Sequence, residues 1–330
     1  MAVLILVVLS ASFTQAQDDI ILLTPQPITL RNLKWSNDGQ LLVFRDNCCD
    51  DTGIITIEAN WYTYDVTTET LTQDNSWGLA PQLAVAEMYS AGITDDHFNF
   101  MSPDERYVFY SADVPEDDYQ LRLYDRQQGM FLNLPFFDMA RASGTDRFNA
   151  WWSEDSTALI TRLTPITPYE LVSGYFYISD YDAGFANTQF IELYDAEING
   201  DEYGFSRIYD LSPDGRHVLI GAAKRGERGG RILFYNPQIP TDSLIISPSE
   251  VSMPNIYVAR FLEGDNHRII YLNESGIHIY DKTTGASELV RDDINSIVWD
   301  GMLFAPGGKH LALVEDDQVY VVDLTDDLPD

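Results

Sequence analysis

The chain has 330 residues, of which 45% are hydrophobic and 12% aromatic, which is enough for a large buried core. Its formal charge is −32, from 52 acidic and 20 basic residues. A surface this negative repels phosphate backbones and anionic headgroups, so nucleic acid and membrane surfaces are poor partners. The acidic residues are spread along the chain, which favours solubility as the reason for the charge over attraction to cations or basic partners.

The first residues, MAVLILVVLSASFTQAQDD, have the pattern of a secretory signal. An apolar run is followed by small residues and a cleavage-type site at Ala16. The run is shorter than the roughly 20 residues that a bilayer-spanning helix needs. We therefore expect a signal peptide at 1–16 and an extracytoplasmic chain at 17–330, secreted or periplasmic and without membrane insertion. The alternative is that these residues form an edge strand of the fold.

The two cysteines are neighbours, Cys48 and Cys49. They cannot join distant parts of the fold, so no disulfide framework stabilises this chain. In an oxidising compartment they could close a strained ring with each other, and otherwise they are two loop thiols. Neither state implies catalysis.

A ten-residue motif recurs along the chain, as WSNDGQLLVF at 35–44, MSPDERYVFY at 101–110 and LSPDGRHVLI at 211–220. A polar turn between two apolar runs is typical of a β-hairpin. Aligning the residue before each turn predicts six copies. These residues are Ser36, Ser102, Ser153, Ser212, Glu263 and Ala305.

A second phrase follows each hairpin and predicts a third strand, a polar turn and a fourth strand. It reads, for example, LRLYDRQQGM at 121–130 and IHIYDKTTGA at 277–286. Its Asp65, Asp125, Asp281 and Asp323 recur at one position, where side-chain bonds to the turn backbone explain them. The predicted fourth strands include MFLNL, TQFIEL, SLIIS and ASELV.

The sixth copy lacks a fourth strand, whereas the segment IILLT at 20–24 precedes the first hairpin and resembles one. Pairing this segment into the last copy would close a ring and remove an open sheet edge. The predicted fold is therefore all-β: a single six-bladed β-propeller at 17–330, with four antiparallel strands per blade and the N-terminal strand completing the last one. An open sandwich would not explain the six restarts.

The S-P-D-G turn with its apolar run, and the later Y-x-x-D and T-G turn, resemble the TolB-type, WD40-like (PD40) propeller repeat. The match is good at 211–220, fair at 35–44, 101–110 and 277–285, and degraded at 263 and 305. The resemblance implies a propeller over nearly the whole of 17–330. It implies no particular activity, because this architecture hosts unrelated functions.

Long, variable connections are expected at the end of the propeller opposite the S-P-D-G turns, and binding residues usually lie on such loops. We take as candidate binding residues Trp77, His97, Arg141, Arg147, Lys224, Arg225 and Arg228. The basic residues, with Arg231, could hold an anionic ligand or an acidic patch, or could simply neutralise nearby acidic loops. Trp77 could stack on a sugar or peptide, or pack its own loop.

Searches for reaction chemistry give no catalytic residue. The sequence contains no G-x-S-x-G elbow, H-E-x-x-H or G-x-x-x-x-G-K motif. Carboxylate groups such as Asp95-Asp96 and Asp316-Asp317 could take Ca²⁺, but they lack calcium-loop spacing, so we predict solvated charge and neither metal nor cofactor. His217, His267 and His310 recur beside the turn, which favours a structural position exposed near the turn over a catalytic base. His97, beside Asp95 and Asp96, is the histidine considered as a ligand or base.

Three functions remain open. The first is an exported binding or scaffold module that contacts a protein or envelope component through its variable loops. The second is a propeller enzyme, a glycan hydrolase or lyase, with a site at the channel mouth. The third is a structural domain of a larger exported assembly. The sequence leaves the ligand and the oligomeric state undetermined.

Overall fold

The computed structural model of the protein describes residues 20–24, 30–46, 60–74, 100–114, 118–132, 141–142, 150–163, 174–179, 187–192, 196–198, 201–224, 231–239, 243–246, 256–294 and 301–329. Regular structure in these ranges consists of β-strands and two short 3-10 turns, Pro306–Gly308 and Thr325–Asp327. Within the same ranges, no helix is both long and apolar enough to cross a membrane. The predicted signal segment 1–16 and the Cys48-Cys49 pair lie outside the described residues.

The described strands form six antiparallel sheets. Sheet 1 contains β2 (Leu30–Trp35), β3 (Leu41–Asp46), β4 (Asn60–Asp65) and β5 (Thr70–Asp74). Sheet 2 contains β6 (Phe100–Met101), β7 (Tyr107–Val114), β8 (Asp118–Asp125), β9 (Met130–Leu132) and β10 (Arg141–Ala142). Sheet 3 contains β11 (Ala150–Trp152), β12 (Ala158–Leu163), β13 (Gly174–Ser179) and β14 (Asn187–Glu192).

The other three sheets follow in chain order. Sheet 4 contains β15 (Ala196–Ile198), β16 (Asp201–Leu211), β17 (Val218–Lys224), β18 (Arg231–Tyr235) and β19 (Leu244–Ile246). Sheet 5 contains β20 (Val258–Phe261), β21 (Arg268–Asn273), β22 (Gly276–Asp281) and β23 (Ala286–Arg291). Sheet 6 contains β24 (Gly301–Phe304), β25 (His310–Glu315), β26 (Gln318–Asp323) and, from the start of the chain, β1 (Ile20–Leu22).

The architecture is an all-β propeller of antiparallel strands. The prediction of four strands in every blade is wrong in two sheets. Sheet 4 has a fifth strand, because β15 forms a hairpin with the start of the long strand β16. Sheet 2 departs from the linear strand order that the other five sheets keep, because β8 pairs with β7, β9 and β10.

The recurring turn between the first and second strands is held by its own serine and aspartate. In sheet 4, Ser212 Oγ donates to Asp214 Oδ1 at 2.7 Å and accepts the His217 backbone N–H at 2.9 Å. Asp214 Oδ1 also accepts the Arg216 N–H at 3.1 Å. The two side chains therefore satisfy the backbone donors of a tight turn, which explains why Ser and Asp recur two residues apart. The same pairs occur at Ser36–Asp38, Ser102–Asp104 and Ser153–Asp155.

One alignment of the repeat is wrong by a residue. The sequence placed Glu263 at the position of the serines. In the structure, Leu262 takes that position: its N–H donates to Arg268 O, and its carbonyl accepts the Asp265 N–H. The turn in sheet 5 is one residue longer than in sheet 4, where Ser212 N donates to His217 O. A single-residue insertion in a polar turn leaves no mark in the hydrophobic pattern.

The turn between the third and fourth strands uses the recurring aspartate as expected. Asp65 Oδ1 accepts the Thr67 N–H at 2.8 Å, and Asp125 Oδ1 accepts the Gln127 N–H at 2.8 Å. Asp281 and Asp323 accept equivalent bonds from Thr283 and Thr325. Asn236 does the same in sheet 4, since an amide oxygen accepts as a carboxylate does.

Each sheet is hydrogen-bonded to the next, and the order returns to its start. From sheet 1 to sheet 6 the donor and acceptor pairs are Asn37 Nδ2 to Met101 O, Asp104 N to Ser156 Oγ, Asp155 N to Pro213 O, Asp214 N to Asn266 Oδ1, and Glu263 N to Gly307 O. Sheet 1 returns to sheet 6 through the Trp35 indole N–H, which donates to Leu303 O at 2.9 Å. Apolar cores lie between neighbouring sheets, for example Leu42 and Phe44 against Val319 and Val321.

The segment 20–24 joins the last sheet, as the sequence predicted. Ile20, Ile21 and Leu22 pair with Val322, Val321 and Tyr320 of β26. Leu23 is buried in the core between sheets 6 and 1, where apolar burial stabilises the closed ring.

Candidate functional site

The antiparallel order gives the sheets two different ends. The turn end carries the Ser-Asp turns and the turns from third to fourth strands. The loop end carries the connections from second to third strands and from one sheet to the next. Connections 47–59, 75–99, 164–173 and 225–230 belong to the loop end, as does the chain between β9 and β11. The loop end is where the sequence placed a binding site.

Most of the candidate binding residues lie outside the described part of the chain. These are Trp77, His97, Arg147, Arg225 and Arg228. Arg141 and Lys224 are described as backbone positions. Arg141 lies in β10 opposite Gln120, and Lys224 ends β17 opposite Tyr203. Both lie towards the loop end, in sheets 2 and 4, but the structure does not bring the seven residues together as one described site.

Arg231, the last member of the basic cluster, packs back onto its own sheet. Its guanidinium carbon lies 6.0 Å from the centroid of the Tyr203 ring, and Tyr203 is buried. A cation above an aromatic face is attracted to the ring. This member of the cluster therefore has a structural contact.

An acidic hairpin borders the same basic connection. The β15–β16 hairpin carries Glu197, Asp201 and Glu202 and extends beyond the Tyr203–Lys224 pair, at the end of the sheet where 225–230 joins β17 to β18. The hairpin sequence is acidic and the connection sequence is basic, so neutralisation of acidic loops and binding of an anionic ligand both agree with the charges.

At the turn end, a cluster of charged side chains that the sequence analysis did not identify connects several sheets. Asp210 of β16 accepts the Phe261 N–H at 3.0 Å, and its Oδ2 lies 3.5 Å from Arg260 Nε in β20. Arg260 Nη1 in turn donates to Phe304 O of β24 at 3.3 Å. Asp210 and Arg260 thus connect β16 of sheet 4, β20 of sheet 5 and β24 of sheet 6.

Glu154 extends the same group to sheet 3. Both of its carboxylate oxygens accept the Gly264 N–H, at 3.2 and 3.0 Å, although 110 residues separate the two. Burial raises the pKa of Glu154, an effect opposed by the Gly264 N–H and reinforced by Glu263 and Asp210. Burial also raises the pKa of Asp210, with Arg260 opposing it. Both carboxylates are engaged by backbone donors, which indicates a structural role.

Lys34 occupies the corresponding position in sheet 1. It lies two residues before Ser36, as Asp210 lies two before Ser212 and Arg260 two before Leu262. Burial lowers the pKa of Lys34 to about 8. One position of the repeat thus carries charged residues in three sheets.

Two of the three histidines beside the turns, His217 and His310, occupy packed positions, whereas His267 is exposed. His217 is buried, and its Nε2 lies 3.3 Å from the Lys282 ammonium. The His310 ring stacks on Trp35 with centroids 5.9 Å apart, and burial lowers its pKa. These contacts agree with a structural role. The prediction that the position is exposed is wrong for His217, which is buried, and holds for His267.

No set of three or more His, Cys, Asp or Glu side chains that could hold a metal occurs among the described residues. Asp316 and Asp317 form the tight turn between β25 and β26, both with positive φ, 49° and 60°. The prediction that no metal or cofactor is bound stays a prediction.

The comparisons with known proteins give no family. No family model matches the chain, and no curated protein matches it. Similar solved structures include an oligogalacturonate lyase in complex with manganese, at 14% identity, TM-score 0.48 and 94% and 93% coverage of the two chains. They also include a putative TolB from Agrobacterium tumefaciens, at 14% identity and TM-score 0.45, with 92% of each chain covered. A third is the β-propeller domain of the Trilobed protease from Pyrococcus furiosus, at 10% identity and TM-score 0.48, with 90% of this chain and 96% of that chain covered.

These neighbours include TolB and β-propeller proteins, but at TM-scores below 0.5 the assignment of the fold rests on the sheets described above. The specific TolB-type repeat family is not confirmed, because it rests on the sequence phrases alone. Binding and enzymatic functions are not distinguished by the comparisons.

Proposed function

We propose that this chain is an exported six-bladed β-propeller that acts as a binding or scaffold module. Its loop end contacts a protein or envelope component. The six mutually bonded sheets and the closing strand β1 support the ring. The signal-like segment 1–16 supports export to a secreted or periplasmic location.

One observation carries the choice of the loop end: the polar groups of the turn end bond to one another. In each Ser-Asp turn, the serine hydroxyl and the aspartate carboxylate are hydrogen-bonded to each other. The turns from third to fourth strands donate backbone bonds to the first turns, from Val66 to Gln40 O, Arg126 to Arg106 O, Lys282 to His267 O and Leu324 to Lys309 O. Donors and acceptors already satisfied within the fold gain little by binding a partner.

The connections at the loop end differ greatly in length and composition, whereas the turns repeat. Connection 75–99 contains the candidate residues Trp77 and His97, and connection 225–230 contains Arg225 and Arg228. Variable loops on a repetitive scaffold are where recognition usually resides. We therefore assign partner recognition to Trp77, His97, Arg141, Arg147, Lys224, Arg225 and Arg228, and assign catalysis to none of them.

The test compares three forms of the mature chain, immobilised and exposed to cross-linked envelope extract. The first is unchanged, the second has 77–97 replaced by a short Gly-Ser linker, and the third has Arg216→Ser and Asp326→Ser at the turn end. We expect the second form to lose the captured protein and the third to keep it. Equal capture by the first two, with loss in the third, would overturn the proposal.

A second candidate function is a glycan hydrolase or lyase. It is favoured by the convergence of Glu154, Asp210 and Arg260, because acidic groups with raised pKa values beside a cation also occur at catalytic sites. A thermal-shift panel with oligosaccharides, with and without divalent metals, tests it, since a ligand of the folded state raises Tm. A shift abolished by Asp210→Asn would favour the enzyme over the binding module.

A further inference from the structure

Among the described residues, the strand that closes the ring contacts one neighbour strand, β26, and the apolar cores beside it. Three residues of β1 pair with β26. The Leu23 N–H donates to Val319 O at 2.8 Å, and Thr24 Oγ1 accepts the Val319 N–H at 2.9 Å. Gln318 Nε2 donates to Thr24 O at 3.2 Å. Segment 20–24 therefore pairs with β26 as the edge strand of sheet 6.

Release of this segment costs less than release of an inner strand. β1 lies at the edge of its sheet and pairs only with β26 among the described strands, whereas β25 pairs with two strands. Its departure leaves the β24–β25–β26 ladder and the other five sheets paired. Openings of this limited kind occur far more often than global unfolding.

The vacated edge is specific for the same segment. Ile21 and Leu23 pack on the core between sheets 6 and 1, and Ile20 packs on the core between sheets 5 and 6. Thr24 satisfies the Val319 N–H, which an arbitrary apolar strand would leave unbonded. An unpaired strand edge is a template for another strand, and the strand that fits these positions best is 20–24 of a second copy.

The sequence that follows segment 20–24 favours an extended connection over one that folds back. Thr24 is followed by Pro25, Gln26 and Pro27 before β2 begins at Leu30. Proline-rich connections prefer extended conformations, and the exchange of an identical element between copies is a low-cost route to dimers. From these features we propose that β1 is exchangeable: segment 20–24 of one copy completes sheet 6 of a second copy, and the reciprocal contact closes a two-fold dimer.

The test mixes two full-length variants, both with Cys48→Ser and Cys49→Ser. One carries Leu22→Cys and the other Tyr320→Cys, which are cross-strand partners. A disulfide needs Cα atoms within about 7 Å, so oxidation joins the two chains only when β1 of one lies on β26 of the other. We expect the cross-linked heterodimer to rise with incubation time, to at least about tenfold above a collision control.

The collision control pairs Leu22→Cys with Met130→Cys, since Met130 is 50% exposed and Leu22 is 44% exposed, but Met130 lies in sheet 2. The double variant Leu22→Cys/Tyr320→Cys, diluted before oxidation, shows that the pair can close within one chain. If it closes and the mixture gives no more heterodimer than the collision control, β1 does not exchange.

A second measurement uses the unmodified chain, so that it does not depend on the folding of a variant. A fluorescein-labelled peptide of residues 18–26 should bind slowly and saturably, raising the fluorescence anisotropy, and the same peptide with Leu23→Asp should lose at least about tenfold in affinity. Absence of binding by the first peptide, or equal binding by both, would overturn the proposal.

Discussion

Ser212 and Asp214 lie two residues apart and share one hydrogen bond, 2.7 Å long, that fixes the turn between β16 and β17. The Ser212 hydroxyl is fully buried and also accepts the His217 N–H. Because the same pair is repeated in four sheets, its contribution to stability can be measured at sites that differ mainly in exposure.

Ser212→Ala should lower the free energy of unfolding by about 1–3 kcal/mol, because it leaves the His217 N–H unsatisfied in a buried turn. Urea denaturation followed by tryptophan fluorescence measures this. Ser36→Ala is the matched control, since Ser36 makes the same bonds but is only half-buried, and water can replace its hydroxyl. A loss at Ser36 equal to that at Ser212 would contradict the role given to burial.

Gly215→Ala should be much more harmful than Gly264→Ala. Both glycines have positive φ, 68° and 65°, so both variants incur backbone strain of about 1–2 kcal/mol. A Cβ at Gly215 would lie 2.7 Å from the Ala158 Cβ, whereas a Cβ at Gly264 meets nothing within 4 Å. Thermal unfolding of the two variants should differ by several degrees, and equal Tm values would show that the clash relaxes freely.

Asp210 and Asp293 should have opposite effects on the pH dependence of stability. Burial raises the pKa of Asp210 in the folded state, so its charge opposes folding above that pKa and the penalty disappears as the pH falls through it. The Arg291 hydrogen bonds lower the pKa of Asp293, so its contribution is present above its unfolded pKa and is lost as the pH falls towards the folded value.

The measurement is urea denaturation from pH 3 to 8 for the wild type, Asp210→Asn and Asp293→Asn. The stability of Asp210→Asn relative to the wild type should decrease as the pH falls, whereas that of Asp293→Asn should increase. Parallel curves for the two variants would mean that neither carboxyl changes its pKa on folding.

Leu23→Ala should destabilise the ring by about 2–5 kcal/mol, because Leu23 is buried in the core between sheets 6 and 1. Leu22→Ala is the neighbouring control. Leu22 is 44% exposed, so its truncation should change stability by less than about 1 kcal/mol. Chemical denaturation gives both values, and a large loss at Leu22 would mean that another part of the molecule covers it.

The local parts of the fold were predictable because their causes are local. The Ser-Asp turns, the aspartates of Asp65 type and the strands flanking them follow from bonds within a few residues. The extra strand β15 was not predicted, since three residues paired across a hairpin give little periodic signal. The contact between Glu154 and Gly264 joins residues 110 apart, and no pattern along the chain encodes it.

The sequence predicts the candidate site only as an end of the propeller. Loop length and variability favour the loop end, which stays a prediction, and the seven candidate residues are spread over two strands, β10 and β17, and several connections. The charges at Lys34, Asp210 and Arg260 do share a repeat position, and a comparison of the residue two places before each turn could have found them. The one-residue shift at Leu262 hid Arg260 from that comparison.

The bond between Thr24 and Val319 joins residues 295 apart in sequence. Among the described strands, segment 20–24 is synthesised first and its partner β26 last. The apolar side chains of Ile20, Ile21 and Leu23 must therefore stay unpaired while all six sheets emerge, and ring closure is a late step with a large loop-closure entropy. A chaperone that held this short apolar segment during synthesis would raise the yield of closed monomer.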